Sequence, residues 1–581
     1  MILQSLVAFY EAMASQGEMP PVGYMKVPVS YMLCIDRKGN LVNVIHTTYT
    51  VDVGKKTVEK PVPRVCPAQV SRSSGVVPNF LCDHSGYLLG VSAKGTPKRN
   101  QECFAACRML HHTILDSVNS EAAKAVLAFL DHWDPDAIKT HPVLKDFLDA
   151  VIAEVNLLFC FEGKPVSEDQ AIREAWDRYY NEKSENQGYC LITGTYGTVE
   201  RTHPLIRGVV GAQSSGAALV SFNAPAFSSY GKEQNLNAPI GKYATFAYTT
   251  ALNYLIRDPD RHKRIGDITL LFWMDGQTSA AEELVSFAFF HTPSAKYTED
   301  ELWDKIQQLL QGVSVEFDGS RLDPDKPFYI LGLSPNAARL SVRFFFCNTF
   351  GSLLRNILRH QERLAIVSDR DHHFESLPIW KQLDETVNQK SQDKAPDPHM
   401  AGDVLRSVLT DTPYPATMLN AVILRIRAER KITRCRAAMI KAYYLKNTHP
   451  EVPEEVLTMS LNSNSCYVPY CLGRLFAVLE KLQKDANGAT TVKDHYFVSA
   501  AATPASIFAV LLRLSKSHIK KIHSDREWLA AYYDKQIREL VDKFGEALPA
   551  RLTLAEQGSF QLGYYHQNVA LYQKKEDQNN V

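Results

Sequence analysis

A chain of 581 residues is too long for a single hydrophobic core, so two or more domains are expected. A composition of 45% hydrophobic and 22% charged residues excludes a disordered polymer, and no apolar stretch is long enough to span a bilayer. Lys and Arg number 64 and Asp and Glu number 64, which excludes a surface that attracts nucleic acid everywhere while permitting local patches.

The opening segment, Met1 to Gly17, places Leu3, Leu6, Val7 and Tyr10 on one helical face and carries Glu11. It lacks the basic start and unbroken apolar run of an export signal, so it reads as an amphipathic helix of a cytoplasmic protein. The 11 cysteines are scattered without paired spacing, as free thiols in a reducing compartment would be.

Val29 to Asp36 and Leu41 to Tyr49 are β-rich runs joined by Arg37-Lys38-Gly39-Asn40, a hairpin signal. A loop rich in Pro, Ser and Gly (Pro61 to Pro78) precedes a predicted strand over Tyr87 to Ser92. Asn100 to Trp133 reads as one or two helices. Cys103, Cys107 and His111 fall four apart there; they could share a metal, although buried thiols beside Phe104 and Leu110 are the simpler reading, since no fourth ligand is apparent. Further strands are expected at 155–161, 189–193, 217–222, 268–274, 328–333 and 340–346.

The polar, proline-containing stretch 391–402 ends a mixed α/β region spanning 1–390. Beyond it the pattern is almost wholly helical, at 403–411, 415–446, 468–485, 504–520, 524–545 and 551–571. The predicted class is α+β: a mixed α/β N-terminal region followed by an all-α bundle over 403–581.

Familiar catalytic motifs are missing. Gly241-Lys242 lacks the rest of a phosphate-binding loop, HExxH is absent, and Ala212-Gln213-Ser214-Ser215-Gly216 has alanine where a serine-hydrolase elbow needs glycine. Asp369, Asp371, His372 and His373 form one cluster that a metal-dependent nuclease could use; flanking Arg363 and Arg370 also suit a solvated loop. The chain is therefore expected to have no catalytic residue, no cofactor and no metal.

What remains is polar and basic texture. Strand alternation sends Arg339, Ser341 and Arg343 to one sheet face, suited to phosphates or simply to solvent. Arg425 to Lys446 holds eight cations against the single acid Glu429, and on one helix Arg427, Arg430, Lys431, Arg434 and Lys441 share a side. Two loops combine hydroxyls and amides with glycine: Ser71 to Phe80, with Ser73, Ser74 and Asn79, and His203 to Pro239, with Gln213, Ser214, Ser215 and Asn223. Such groups suit base edges or phosphates, and equally suit turns and caps.

These stretches resemble one family. Met1-Ile2-Leu3-Gln4-Ser5-Leu6, Pro78-Asn79-Phe80-Leu81-Cys82-Asp83 with Tyr87, and above all GAQSSGAALVSFNAPAFSSYGKEQNLNAP (Gly211 to Pro239) are similar to the large subunit of the type I-C CRISPR surveillance complex, Cascade. Leu333-Ser334-Pro335-Asn336-Ala337-Ala338-Arg339-Leu340 and Gly473-Arg474-Leu475-Phe476-Ala477-Val478-Leu479-Glu480 are similar too. The resemblance implies a non-catalytic subunit of an antiviral complex that recognises the protospacer-adjacent motif, helps open the duplex and guides the displaced strand. The implied partners are CRISPR RNA, target duplex and displaced DNA, the subunit that processes and holds the RNA handle, backbone subunits, small subunits and a helicase–nuclease, with no membrane.

Such division of labour leaves sequence reading to RNA pairing. On chemical grounds Ser73, Ser74 and Asn79 are the adjacent-motif candidates. Gln213, Ser214, Ser215 and Asn223 are second candidates, for duplex entry or the RNA handle. Arg339, Arg343, Arg427, Arg430, Lys431 and Arg434 are the phosphate candidates. The resemblance also implies a small subunit translated from within the same gene. Met459 is the candidate start: Glu454-Glu455-Val456 is encodable as a ribosome-binding sequence, and residues 459–581 hold the last four predicted helices.

Overall fold

The computed structural model describes residues 1–53, 56–70, 72, 75–182, 186–274, 279–368, 377–392, 394–489, 491–545 and 547–572. The chain forms two compact units, the first comprising Met1–Ile206 and Ala218–Tyr254, the second Arg207–Ala217 and Leu255–Val581. The class is mixed α+β, with helices alone at the C-terminal end.

In the first unit the helix Ile2–Ser15 buries Leu6, Phe9, Tyr10 and Met13, the stripe its periodicity predicts. The central sheet runs Leu41–His46, Tyr31–Ile35, Asn156–Phe161, Cys82–His84. Tyr31–Ile35 and Asn156–Phe161 pair in parallel, and every residue of the former is buried, as expected for a strand covered on both faces. The Arg37-to-Asn40 turn forms as predicted: Asp36 Oδ1 accepts the N–H groups of Lys38 and Asn40, both at 2.9 Å. Gly39 sits at φ +80°, where a Cβ would come within 2.4 Å of Phe129 N, so side chains are excluded there.

Four predicted elements differ, the first being the expected strand 189–193, which is a turn after the short strand Gln187–Tyr189. The expected loop Pro61 to Pro78 begins instead as the end of a strand, Lys56–Pro67, despite its prolines. The strand's first half pairs with Thr48–Val53 and its second with Tyr24–Val29, so each half has an open edge where the missing proline N–H costs little. The expected strand at Tyr87 is a short helix, Ser85–Leu88, because His84 Nδ1 caps Gly86 N. Residues 217–222 form no strand; Gly211 and Gly216 at positive φ keep the preceding chain turning.

The second unit is built on an antiparallel sheet ordered His262–Ile265, Ile268–Met274, Pro327–Asn336, Arg339–Thr349. Its apolar core is continuous from Ile265 to Val569. The expected linker 391–402 does not interrupt that core. Asp397 Oδ1 caps Met400 N at 2.8 Å, the helix Pro398–Thr410 begins there, and Met400, Ala401, Val404 and Leu405 are buried together. The unit division falls near residues 206, 217 and 254, while apolar packing runs straight through 400.

The expected helix 415–446 is two helices, Ala416–Glu429 and Arg434–Asn447. Arg430 adopts φ +53° and ends the first, while Thr433 Oγ1 caps the second. After these come Val468–Asn487, Val492–Ala502, Pro504–His523, Glu527–Val541 and Leu554–Tyr572, the second of which the sequence pattern does not reveal. Val468–Asn487 and Leu554–Tyr572 approach backbone to backbone: a Cβ on Gly473 would lie 1.9 Å from Phe560 O, and one on Gly563 would lie 2.0 Å from Tyr470 O.

Candidate nucleic-acid interface

The loop after Lys56–Pro67 is held from beneath by a buried carboxylate. Asp83 is 1% exposed, and a charge removed from water that far requires donors on both oxygens. Arg72 supplies them as a fork: Nη1 donates to Oδ1 at 2.9 Å and Nη2 to Oδ2. The N–H groups of Asn79 and His84 add bonds of 2.8 and 2.9 Å. Arg72 Nε donates to Val77 O at 2.6 Å, and its guanidinium lies 4.0 Å above the Tyr87 ring. Arg99 donates to Gly75 O and so ties the far limb of the loop. What the loop presents outward includes Val70, Gly75 and Val77, all exposed.

Behind it, Leu81 takes φ +61° and its N–H donates to His111 Nε2 at 3.0 Å, while His111 Nδ1 donates to Cys107 O at 2.8 Å. Burial pushes the His111 pKa down to about 4, so the ring is a neutral strut. Both ring nitrogens of the Cys103–Cys107–His111 group are thus occupied by backbone.

This geometry corrects the assignment of Asn79. Its side chain is buried and Oδ1 accepts Val70 N–H at 3.0 Å, because the chain reversal leaves that N–H needing an acceptor. Asn79 braces the loop and does not face outward. Ser73 and Ser74 lie outside the described residues, as do Asp369, Asp371, His372 and His373.

Gln213, Ser214 and Ser215 are exposed on a turn closed by Gly216 N–H to Gln213 O at 2.9 Å. They belong to the second unit, whereas Asn223, also exposed, belongs to the first. Other amides in that stretch serve the fold: Asn235 is buried, and Asn237 bonds Ser229 N, Lys232 O and Gln234 O.

The phosphate candidates divide by burial. Arg339 is half-buried near the tip of the Pro327–Thr349 hairpin. Arg343 sits at a register shift, where Nε donates to Ser334 Oγ at 3.0 Å and Nη2 lies 3.6 Å from Asp267, so internal partners already hold it. The helix break at Arg430 dissolves the single stripe expected over 425–446. Arg427 donates to Gln557 Oε1 and Arg434 to Ile366 O at 3.4 Å. Lys441 is 4% exposed, and burial lowers its pKa to about 8. Only Arg430 and Lys431 of this set remain exposed, with Arg430 3.8 Å from Asp494.

Sequence reading missed the partnership of Arg72 with Asp83. The signal was an aspartate inside the apolar run Phe80-Leu81-Cys82-Asp83, a position at which a carboxylate requires a cation. Among the described residues no helix is long and apolar enough to cross a membrane, and no group of three or more His, Cys, Asp or Glu is placed to hold a metal.

The sequence as a whole matches a family of CRISPR-associated proteins. Residues 6–572 match the family described as CRISPR-associated protein (Cas_Csd1), and the chain belongs to that family, the large-subunit type of type I-C systems. No curated protein matches the chain.

Proposed function

We propose that this chain is the non-catalytic subunit that reads the protospacer-adjacent motif on duplex DNA, helps open the duplex, stabilises the R-loop and recruits a helicase–nuclease, in the cytoplasm. The observation that carries this reading is the bracing of Arg72, Gly75 and Val77, in a chain that belongs to a CRISPR-associated family. A surface that must discriminate base edges has to hold its shape, and the Arg72–Asp83 fork with the Arg99 tie fixes these residues from below. Net neutrality suits a subunit with one nucleic-acid side and several protein sides.

The test replaces residues 73–76 by a Gly-Ser linker, keeping Arg72 on Asp83, in the assembled complex with its guide RNA. Motif-dependent duplex binding is expected to disappear while motif-independent binding persists; unchanged discrimination overturns the reading. Within the loop, Ser73→Ala with Ser74→Ala is expected to cost roughly 1–3 kcal/mol on a correct target and little elsewhere. Divalent-dependent plasmid cleavage that is lost in Asp371→Ala would overturn the non-catalytic assignment.

A further inference from the structure

Two buried cations of the second unit have no carboxylate partner among the described residues. Lys441 makes no hydrogen bond or ion pair there, and nothing offsets the burial that lowers its pKa. Arg474 bonds only neutral acceptors, Gln567 Oε1 at 3.0 Å and the carbonyls of Asn462 and Ser463 at 3.2 Å. Both charges reach His566, whose pKa burial and these two cations push down to about 3, so the ring stays neutral. Glu451, whose charge reaches Tyr444, is exposed and accepts the Thr553 hydroxyl at 2.7 Å. Buried charges are as a rule paired, so an ammonium left without an anion calls for a physical account.

Lys441 sits where Arg434–Asn447 packs antiparallel on Leu554–Tyr572. At one end Arg434 donates to Ile366 O and Tyr565 to Val367 O, at 3.4 and 2.7 Å. At the other, a Cβ on Gly558 would lie 2.9 Å from Tyr444 Oη. Lys441 precedes Tyr444 by three residues and Gln561 follows Gly558 by three, about 4.5 Å along each axis, so the two stand level. Gln557 and Tyr565, one turn either side of Gln561, bond Arg427 and Val367, which places Gln561 on the same side of its helix. Tyr444 Oη, Gln561 Oε1 and His566 Nε2 are sealed from solvent and lack a partner among the described residues. With Tyr470 Oη taking the Asn462 N–H at 3.2 Å, its own hydrogen goes to His566 Nδ1 at 2.9 Å, which puts the ring hydrogen on Nε2.

We propose that the seam between Arg434–Asn447 and Leu554–Tyr572 binds one small monovalent anion of halide size, held by the Lys441 ammonium and the Tyr444 hydroxyl, with Gln561 and His566 lining it. The groups left over are mostly donors: an ammonium, a hydroxyl and a ring N–H. A half-turn of the Gln561 amide about its last bond adds its N–H groups. A water molecule could meet the same hydrogen bonds but would leave the ammonium charge uncompensated, whereas one negative charge cancels it. The lining side chains are all more than nine-tenths buried, which admits an ion of one atom and excludes a bulky organic anion. Such an ion ties the last helix to the part of the chain before Met459, and a product beginning at Met459 would lack Lys441 and Tyr444. The proposal is independent of the nucleic-acid reading above.

The test follows thermal unfolding of the full-length chain at fixed ionic strength while sodium chloride replaces sodium gluconate, whose anion is too large for the seam. The midpoint is expected to rise by about 1 °C or more and to saturate as for one site. Lys441→Met should abolish the rise, and Tyr444→Phe should raise the half-saturating chloride concentration about fivefold. Arg430→Ala removes an exposed cation and should leave the rise intact. Crystals of the unaltered chain grown in sodium bromide are expected to show an anomalous peak in contact with Lys441 Nζ and Tyr444 Oη. A midpoint indifferent to chloride, an equal rise in Lys441→Met, or bromide crystals with no anomalous peak there, which would mean water only, would each overturn the proposal.

Discussion

Between Arg425 and Lys446 the fold turns much of a cation-rich stretch toward acids and carbonyls; between Arg513 and Lys520 it turns a less dense one toward solvent. Arg436 is 2% exposed, with Glu385 at 2.9 Å and Glu429 at 2.7 Å. Lys446 meets Asp411 at 2.9 Å, and Asp411 also receives Arg363 at 2.7 Å. Burial alone would raise the Asp411 pKa, but Arg363 and Lys446 hold it down to about 2. The acids that neutralise the first stretch come largely from elsewhere in the chain, so counting signs along the stretch overstated its free charge. In the second stretch the apolar spacing alone assigns the faces, and the count stands.

The sharpest test of this contrast is Arg436→Ala, which removes a buried guanidinium from Glu385 and from the exposed Glu429, each of which keeps a second cation, Lys381 and Arg425. It is expected to cost about 3 kcal/mol in chemical unfolding. A loss no larger than that of Arg513→Ala would erase the distinction between the two stretches.

Lys441→Met comes next and has the opposite sign. Lys441 has a folded pKa of about 8 against 10.5 for the free group, so below pH 8 it is charged in both states and its burial penalty is fully present. As pH rises from 8 toward 10.5 the unfolded chain binds more protons than the folded one, and the penalty fades. The methionine variant should therefore gain roughly 3 kcal/mol at neutral pH in halide-free buffer, with the gain shrinking through that window. A pH-independent difference would show that packing alone is responsible.

Arg427→Ala removes the bond to Gln557 and is expected to cost about 1 kcal/mol. Arg513→Ala, on the exposed face, should change stability by no more than about 0.5 kcal/mol. A larger loss would mean that the outer face of Pro504–His523 is not free in the folded chain.

Met459→Leu should leave stability unchanged and yet abolish a second, shorter product, if residues 459–581 are also made separately. We propose this from the family resemblance together with a structural permission. Met459 is 41% exposed before Val468–Asn487, and the close glycine crossing with Leu554–Tyr572 lies wholly within 459–581. What such a product would forgo includes Arg427 to Gln557 and Tyr565 Oη to Val367 O at 2.7 Å. Expression with a C-terminal tag should give a short chain beginning at Met459 or Ser460, lost on synonymous recoding of Glu454 to Val456. Full-length protein alone under the native codons would sink the idea.

Much of the fold was legible from spacing. The first helix, the Gly39 turn, the strand Ile268–Met274 and most C-terminal helices follow from apolar periodicity and glycine placement, which are local properties of the chain. The family too was legible, because its motifs are contiguous runs of residues. Tertiary structure alone decided which polar groups are spent internally. Asn79 turned inward because a chain reversal exposed Val70 N–H, and Arg72 became a strut because Asp83 was buried beside it. It also decided that Arg430 breaks a helix and that residue 400 continues a core instead of ending a domain. The reason is the range of the forces: hydrophobic period and turn geometry are set by neighbours in sequence, whereas the partner of a buried charge or N–H is set by whatever segment the fold brings against it.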